Sequence, residues 1–191
     1  KLICKTPHEL VTKLLEKGED DIERLFLGNF AISVFDKHAK KLLFFRDHIG
    51  FRPLYFSEIN GGLAFSSEIK YLKKINEIDL EVNKDRVVHF LCQYKSDNSD
   101  TFYKNIHSAK PSFKYQYSNA KLNYCKYEHF QSYSSKANNL NEAKEELINA
   151  LTKSVIDHKR YLRGKEAILL SGGLDSSCIY KIFEDKLSCP D

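Results

Sequence analysis

At 191 residues, 42% of them hydrophobic and 13% aromatic, the chain carries enough apolar material for a packed core and too much for global disorder. A net charge of +4, carried by scattered lysines and arginines, excludes a nucleic-acid footprint, and no apolar run is long enough to span a membrane. The five cysteines are odd in number and lack CxxC or His-flanked spacing, and no secretory signal is present, so reduced thiols in a cytoplasmic protein are expected.

The first predicted helix is capped by Thr6, starts at Pro7 and has Glu9 to complete a capping box. Leu10, Val11, Leu14 and Leu15 form its buried stripe, and Gly18 ends it. A short second helix is expected over Asp20–Leu27, presenting Ile22, Leu25 and Phe26. The period then becomes extended. Phe30–Phe35 and Leu42–Phe45 flank the charged tip Asp36–Lys41 as a hairpin, and their near-continuous hydrophobicity predicts cover on both faces. Arg46–Gly50 turns the chain, Pro53–Phe56 resumes as a strand, and Asn60-Gly61-Gly62 turns tightly into Leu63–Ser66. Ser67–Leu72 reads as a helical turn capped by Ser66 or Ser67.

Further on, a helix is expected over Asp85–Tyr94, then a polar loop, Lys95–Asp100. Two extended stretches follow, Phe113–Tyr117 and Leu122–Tyr127, joined through Ser118-Asn119. The Ser/Asn-rich segment Gln131–Asn139 lacks periodicity and reads as an interdomain linker. Asn139 with Glu142 opens a long amphipathic helix to about Tyr161, with Ala143, Leu147, Ala150, Leu151 and Val155 inward. The domains expected are therefore 1–130, the linker 131–139, and 140–191.

Glu166–Leu170 reads as a short buried strand. It breaks into Ser171-Gly172-Gly173-Leu174-Asp175-Ser176-Ser177, and Cys178–Phe183 continues with helical spacing. A strand, a glycine turn and a helix N-terminus make an anion site, because free N–H groups and the helix dipole converge where glycines admit a phosphate. The Walker lysine is absent. A phosphate chain partly balanced by a metal at Asp175 suits the loop. Gly-Gly turns with an Asp or Ser cap also occur without binding anything; the full seven-residue order is what favours phosphate.

That order resembles the signature of the PP-loop ATP-pyrophosphatases. Earlier segments are similar, in the same order, to asparagine synthetases: Leu25–Asp36 to "L-x-G-x-F-A-x-x-x-x-D", Arg46–Tyr55 to "R-D-x-x-G-x-x-P-L-Y", Gly62–Lys70 to "L-x-F-A-S-E-I-K", and Thr101–Ile106 to "T-x-f-x-g-I". The resemblance implies an α/β fold class. A partial αββα N-terminal-nucleophile (Ntn) glutaminase-type sandwich would be followed by the start of a PP-loop parallel α/β domain. It further implies a class II glutamine amidotransferase: ammonia from glutamine attacks a carboxylate, aspartate in the family, that ATP has activated as an acyl-adenylate. Leu169, Ser171, Gly172, Gly173, Asp175, Ser176 and Ser177 would then hold ATP, with Asp175 a magnesium ligand. The implied partners are small molecules, namely ATP, an aspartate-like carboxylate, and glutamine or ammonia. No nucleic acid or membrane is implied, and a homodimer is an assembly the chain allows.

Departures from the family pattern set the alternatives. Residue 1 is Lys rather than the nucleophilic cysteine, and the chain ends soon after the phosphate-loop helix, so a piece trimmed at both ends is expected and no catalytic residue is assigned within it. Cys4 is expected to be a buried or edge thiol. Asn60-Gly61-Gly62 does not replace the family's Asn-Gly-Glu segment. The family's Ser-Asp pair at the first helix stands here as Lys5-Thr6 or Thr6-Pro7, without a carboxylate, and its Pro-Gly as Pro111-Ser112. Arg46 and Asp47 are expected to brace a turn through a charge-assisted hydrogen bond. Glu68 is expected either to pair with a basic residue or to be solvated surface. The seven histidines have no metal-ligand spacing. A glutaminase-deficient relative resembling β-lactam synthetases, or a non-catalytic scaffold, are the competing readings.

Overall fold

The computed structural model describes residues 6–16, 22–26, 28–94, 99–127, 137–159 and 167–187. The chain divides into two compact units, 1–130 and 131–191. Gly18 and Cys4, like most of the expected linker, lie outside the described residues.

In the first unit, α1 (Pro7–Glu16) starts as its capping residue dictates: the Thr6 hydroxyl accepts from the Glu9 amide at 3.2 Å. The expected second helix is a single 3-10 turn, Ile22–Leu25, in which Ile22 is fully buried and Leu25 is exposed. Glu23, 1% exposed, leaves this turn to meet Lys114 at 3.0 Å, with its second oxygen unpartnered.

Strands β1 (Ala31–Asp36) and β2 (Lys41–Arg46) form the expected hairpin, with Ala31 opposite Arg46 and Asp36 opposite Lys41. The Asp36 carboxylate closes the tip by accepting from the His38 and Ala39 amides, both at 2.9 Å. These bonds, led by the one from Ala39, hold its carboxyl below the usual range. Next come β3 (Tyr55–Ile59), β4 (Gly62–Ser66), the turn α2 (Ile69–Leu72) and α3 (Lys84–Leu91). The α2 cap is Glu68, which makes no side-chain capping bond; Ser66 contributes by accepting from the Glu68 amide at 3.2 Å. Asn83 caps α3 by accepting from the Arg86 amide. Short β5 (His107–Ser108) precedes β6 (Phe113–Ser118) and β7 (Lys121–Lys126), which turn through Asn119 and Ala120, both at positive φ.

Among the described residues all pairings are antiparallel, in a four-stranded sheet β1-β2-β6-β7 and a three-stranded sheet β4-β3-β5. The two-residue alternation of a strand distributes the core. Leu43 and Phe45 of β2 pack with Val11, Leu14 and Ile22 on the helical side. Leu42 and Phe44 face the other way, toward Leu54, Phe56 and Tyr115, and so fill the space between the sheets. On the outer face of the smaller sheet, Ala64 and Ile106 meet Leu72 of α2 and Ile78. Phe44 and Phe45 are both at 0% exposure, so each contributes roughly 1.5–3 kcal/mol of burial. The expectation of cover on both faces holds for β2, but β1 is an edge strand and its Phe35 is 59% exposed.

In the second unit, Asn139 caps α4 (Leu140–Lys159) with a reciprocal box: Asn139 Oδ1 accepts from the Glu142 amide at 3.0 Å, and Asn139 Nδ2 donates to Glu142 Oε1 at 2.9 Å. No residue of α4 is buried, and Leu147, expected inward, is exposed. Helix α5 (Leu174–Leu187) packs against α4, with the Lys159 ammonium 5.2 Å from the centre of the Phe183 ring. The strand expected over Glu166–Leu170 is not formed by its described residues: 167–170 pair with no other described residue, and Leu169 is 92% exposed. A strand exists only through a ladder partner, and the described residues of this unit supply none. Among the described residues no helix is long and apolar enough to cross a membrane.

Between β2 and β3 the chain turns at Gly50, at φ +70, where an added Cβ would lie 2.7 Å from Pro111 Cγ. Gly61, at φ +77, has open space there. Gly50→Ala therefore meets both backbone strain and overpacking, about 2–4 kcal/mol together, whereas Gly61→Ala meets only the backbone cost of about 1–2 kcal/mol. Urea unfolding of both variants checks this; equal losses would refute the packing argument.

Candidate functional site

Two places gather the residues singled out in the sequence, one in each unit. In the first, Arg46 and Asp47 do brace the turn, but each acts on the main chain. The buried Asp47 carboxylate accepts three amides, from Ile49 at 3.2 Å, Phe51 at 2.8 Å and Arg52 at 2.9 Å. The Arg46 guanidinium donates outward to carbonyls: Arg52 at 2.5 Å, Ala109 at 2.7 Å, and Gly50. It also reaches the Ser108 hydroxyl at 3.2 Å. Since Arg46 ends β2 and Ser108 ends β5, one side chain ties the two sheets together. Burial lowers its pKa from the ordinary arginine value, and the neighbouring Asp47 charge opposes that shift.

Three further members of this brace were not assigned a role from the sequence. Ser112, at φ +59, donates its hydroxyl to the His48 carbonyl at 3.0 Å, and its amide donates to the Asp47 carbonyl at 3.1 Å. Tyr127 donates to the Arg46 carbonyl at 2.7 Å. Ser108 completes the set. The signal for Ser112 was its place where the family has Gly, the residue that adopts positive φ without strain. Glu68 pairs with Lys70 at 2.5 Å, both well exposed.

The second place is the loop 171–177. Gly172 sits at φ +79 with open space before it, so the conformation rather than crowding calls for glycine. The hydroxyls fold back on the loop. Ser171 Oγ accepts from the Gly173 amide at 3.3 Å, and Ser176 Oγ accepts from the Ser171 amide at 3.3 Å. Ser176 and Ser177 both donate to the Gly173 carbonyl, at 3.2 and 2.8 Å. Helix α5 begins at Leu174, and the Ser177 amide makes its first backbone bond, to the Gly173 carbonyl. The amides of Leu174, Asp175 and Ser176 therefore belong to the first turn, which has no carbonyl one turn back to accept them. They are available to an anion, reinforced by the helix dipole. Leu169 lies just upstream on the exposed, unpaired segment.

Asp175 is exposed, and among the described residues no cluster of three or more His, Cys, Asp or Glu side chains could hold a metal by itself. A single carboxylate does fit magnesium, which takes one or two carboxylates and completes its shell with phosphates and water.

Asp47→Ala leaves three part-buried main-chain amides without their acceptor and should cost about 1–3 kcal/mol, whereas Asp47→Asn keeps one carbonyl oxygen and should cost less. Chemical denaturation at constant m value reads the difference; an unshifted midpoint for Ala would refute the brace.

Residues 4–128 match the family described as a glutamine amidotransferase domain. The "Putative asparagine synthetase [glutamine-hydrolyzing] 1" of Methanocaldococcus jannaschii is 27% identical over 186 residues, covering 92% of this chain and 30% of that protein. Asparagine synthetase [glutamine-hydrolyzing] 3 of Bacillus subtilis is 26% identical over 180 residues, covering 91% of this chain and 28% of that protein. A 57-residue stretch, 30% of this chain, is 39% identical to asparagine synthetase [glutamine-hydrolyzing] 2 of the same bacterium and covers 8% of it. The chain thus spans less than a third of the length of these curated relatives. With an amidotransferase domain over its first unit and alignments to synthetases that run on through most of its length, the chain belongs to the asparagine synthetase family.

Proposed function

We propose that this chain is part of an ATP-dependent ligase that activates a carboxylate, aspartate in the family, as an acyl-adenylate and converts it to an amide with ammonia taken from glutamine. The observation that carries the reading is the loop 171–177. An amide-lined turn at a helix N-terminus, shaped by Gly172 at φ +79, suits a phosphate chain. The three core clusters of the first unit support the finer fold reading, an αββα sandwich of the Ntn type. The second unit is read as the start of a PP-loop domain.

On this reading the acceptor carboxylate oxygen attacks the α-phosphorus of ATP, the bond to the bridging oxygen breaks, and pyrophosphate leaves. Charge grows on the departing pyrophosphate. The Leu174, Asp175 and Ser176 amides are already oriented for it and require no reorganisation at that moment. Ser171, Ser176 and Ser177 exchange their bonds within the loop for bonds to phosphate oxygens, and the main chain at Leu169 lies against the adenine. Ammonia then attacks the acyl carbon, AMP leaves with its oxygen, and the nitrogen sheds a proton to give the amide. Asp175 would hold magnesium, whose chemistry is to neutralise phosphate charge.

One observation favours a second reading, a relative that takes its nitrogen from another amine. The only carboxylate in the first turn of α1 is Glu9, and it is engaged with Lys13 at 2.7 Å. No acidic residue stands where the family binds the glutamine amino group.

In the intact protein, carboxylate-dependent exchange of pyrophosphate into ATP should be measurable, and Asp175→Ala should reduce it by about a hundredfold or more. Exchange undiminished in that variant sinks the metal role, and its absence from the native protein sinks the ligase reading. Supplying glutamine or ammonium as the nitrogen source then separates the two readings: amide formed from glutamine favours the first, amide formed only with a free amine the second.

A further inference from the structure

A cavity of about 250 Å³ lies in the first unit beside β3 and β5, lined by Tyr55, Ile69, Arg86, Asp100, Phe102 and Ser108 among others. Its size decides what class of occupant is relevant. It exceeds the roughly 30 Å³ share of one water and falls below the roughly 300–1,000 Å³ of drug-sized sites. A small organic molecule fits that window.

Arg86 is partly buried at this cavity and Asp100 is exposed. Arg86 and Asp100 both line the cavity, yet they do not form an ion pair, and neither side chain has a charged or hydrogen-bonding partner among the described residues. The guanidinium lies 5.5 Å from the centre of the Phe102 ring, and Phe90 meets that ring edge-on at 5.4 Å. The cation is thus steered by an aromatic face while its N–H fork stays unclaimed. Two hydroxyls on the wall are already engaged. Thr101 Oγ1 bonds the carbonyls of Tyr103 at 3.0 Å and Ile106 at 2.6 Å, and Ser108 Oγ accepts from Arg46. No described residue lining the cavity carries a thiol, so it offers no cysteine nucleophile.

We propose that this cavity binds a free α-amino acid. The α-carboxylate meets the Arg86 guanidinium, the α-ammonium meets the Asp100 carboxylate, and an apolar side chain lies against Ile69 and Phe102. A zwitterion is the ligand class that offers a partner both to a cation and to an anion that do not pair with each other. Such an occupant also touches Ser108, the residue that accepts from Arg46, so the site adjoins the brace between the sheets. The inference is independent of the ligase reading, because it involves neither the loop 171–177 nor a glutamine-hydrolysing centre.

The test is calorimetric titration of the intact protein with L-leucine, N-acetyl-L-leucine and L-leucinamide. Saturable binding of leucine is expected, with both analogues at least about tenfold weaker, since each lacks one charged contact. Arg86→Gln should abolish discrimination against the amide, and Asp100→Asn discrimination against the acetylated form, each leaving the other preference intact. Absence of saturable leucine binding, analogues that bind as tightly as leucine, or folded variants that keep the native preferences would each overturn the proposal. The analogue series on the unmodified chain decides the matter even where a variant fails to fold.

Discussion

The link between the two sheets of the first unit is made by adjacent residues of opposite charge that hardly need one another. Asp47 gathers amides from the turn that follows it, and Arg46 gathers carbonyls from the same turn and from Ala109, just after β5 of the other sheet. A turn set against a buried strand must dispose of main-chain donors and acceptors that no ladder can take. Here a carboxylate takes the donors and a guanidinium takes the acceptors. Gly50 and Ser112 accept positive φ so that the two groups can reach, and Tyr127 fixes the Arg46 carbonyl from the end of β7.

This division explains what the sequence could and could not reveal. The Arg-Asp pair before a glycine was legible as a brace because few other arrangements consume two charges beside a buried strand. Its partners were not, since Ser108, Ala109, Ser112 and Tyr127 come from more than 60 positions downstream, and no local pattern reports such pairing. Sheet order fails to show for the same reason. Ala31–Phe35 and Leu42–Phe45 look equally apolar, but β2 is central and β1 is an edge, so only β2 is covered on both faces. Caps were legible at Thr6 and Asn139, where the side chain reaches its own helix, whereas the Asn83 cap of α3 was missed and the cap expected at Ser66 or Ser67 falls at Glu68.

The second unit shows the complementary case. Its loop is almost wholly local: Ser171, Gly173, Ser176 and Ser177 bond one another across five or fewer positions. Sequence therefore gave a sound account of the turn and of the helix that follows. It misjudged the run before the loop, because apolar composition says that Ala167–Leu170 seeks burial and is silent on what provides it. Leu169, Leu170, Leu174 and Leu147 all stand more than half exposed. Apolar surface of this kind is stabilising only once removed from water, so the described residues of this unit carry helix and loop geometry without the burial that would normally hold it.

Those two kinds of construction bear differently on binding. The brace is long-range and saturated: its donors and acceptors are already matched, which suits a part that keeps two sheets in position. The loop is short-range and holds its hydroxyls in bonds that an anion can outcompete, because a phosphate oxygen offers the same donors a full charge where the Gly173 carbonyl offers a dipole. Gly172 turns the main chain at φ +79 with no ligand bound, and the first-turn amides of α5 have no acceptor in the helix to give up. The cost of binding there is accordingly a rearrangement of serine rotors rather than of backbone. The loop can therefore keep its shape even while the apolar segment leading into it remains unpaired.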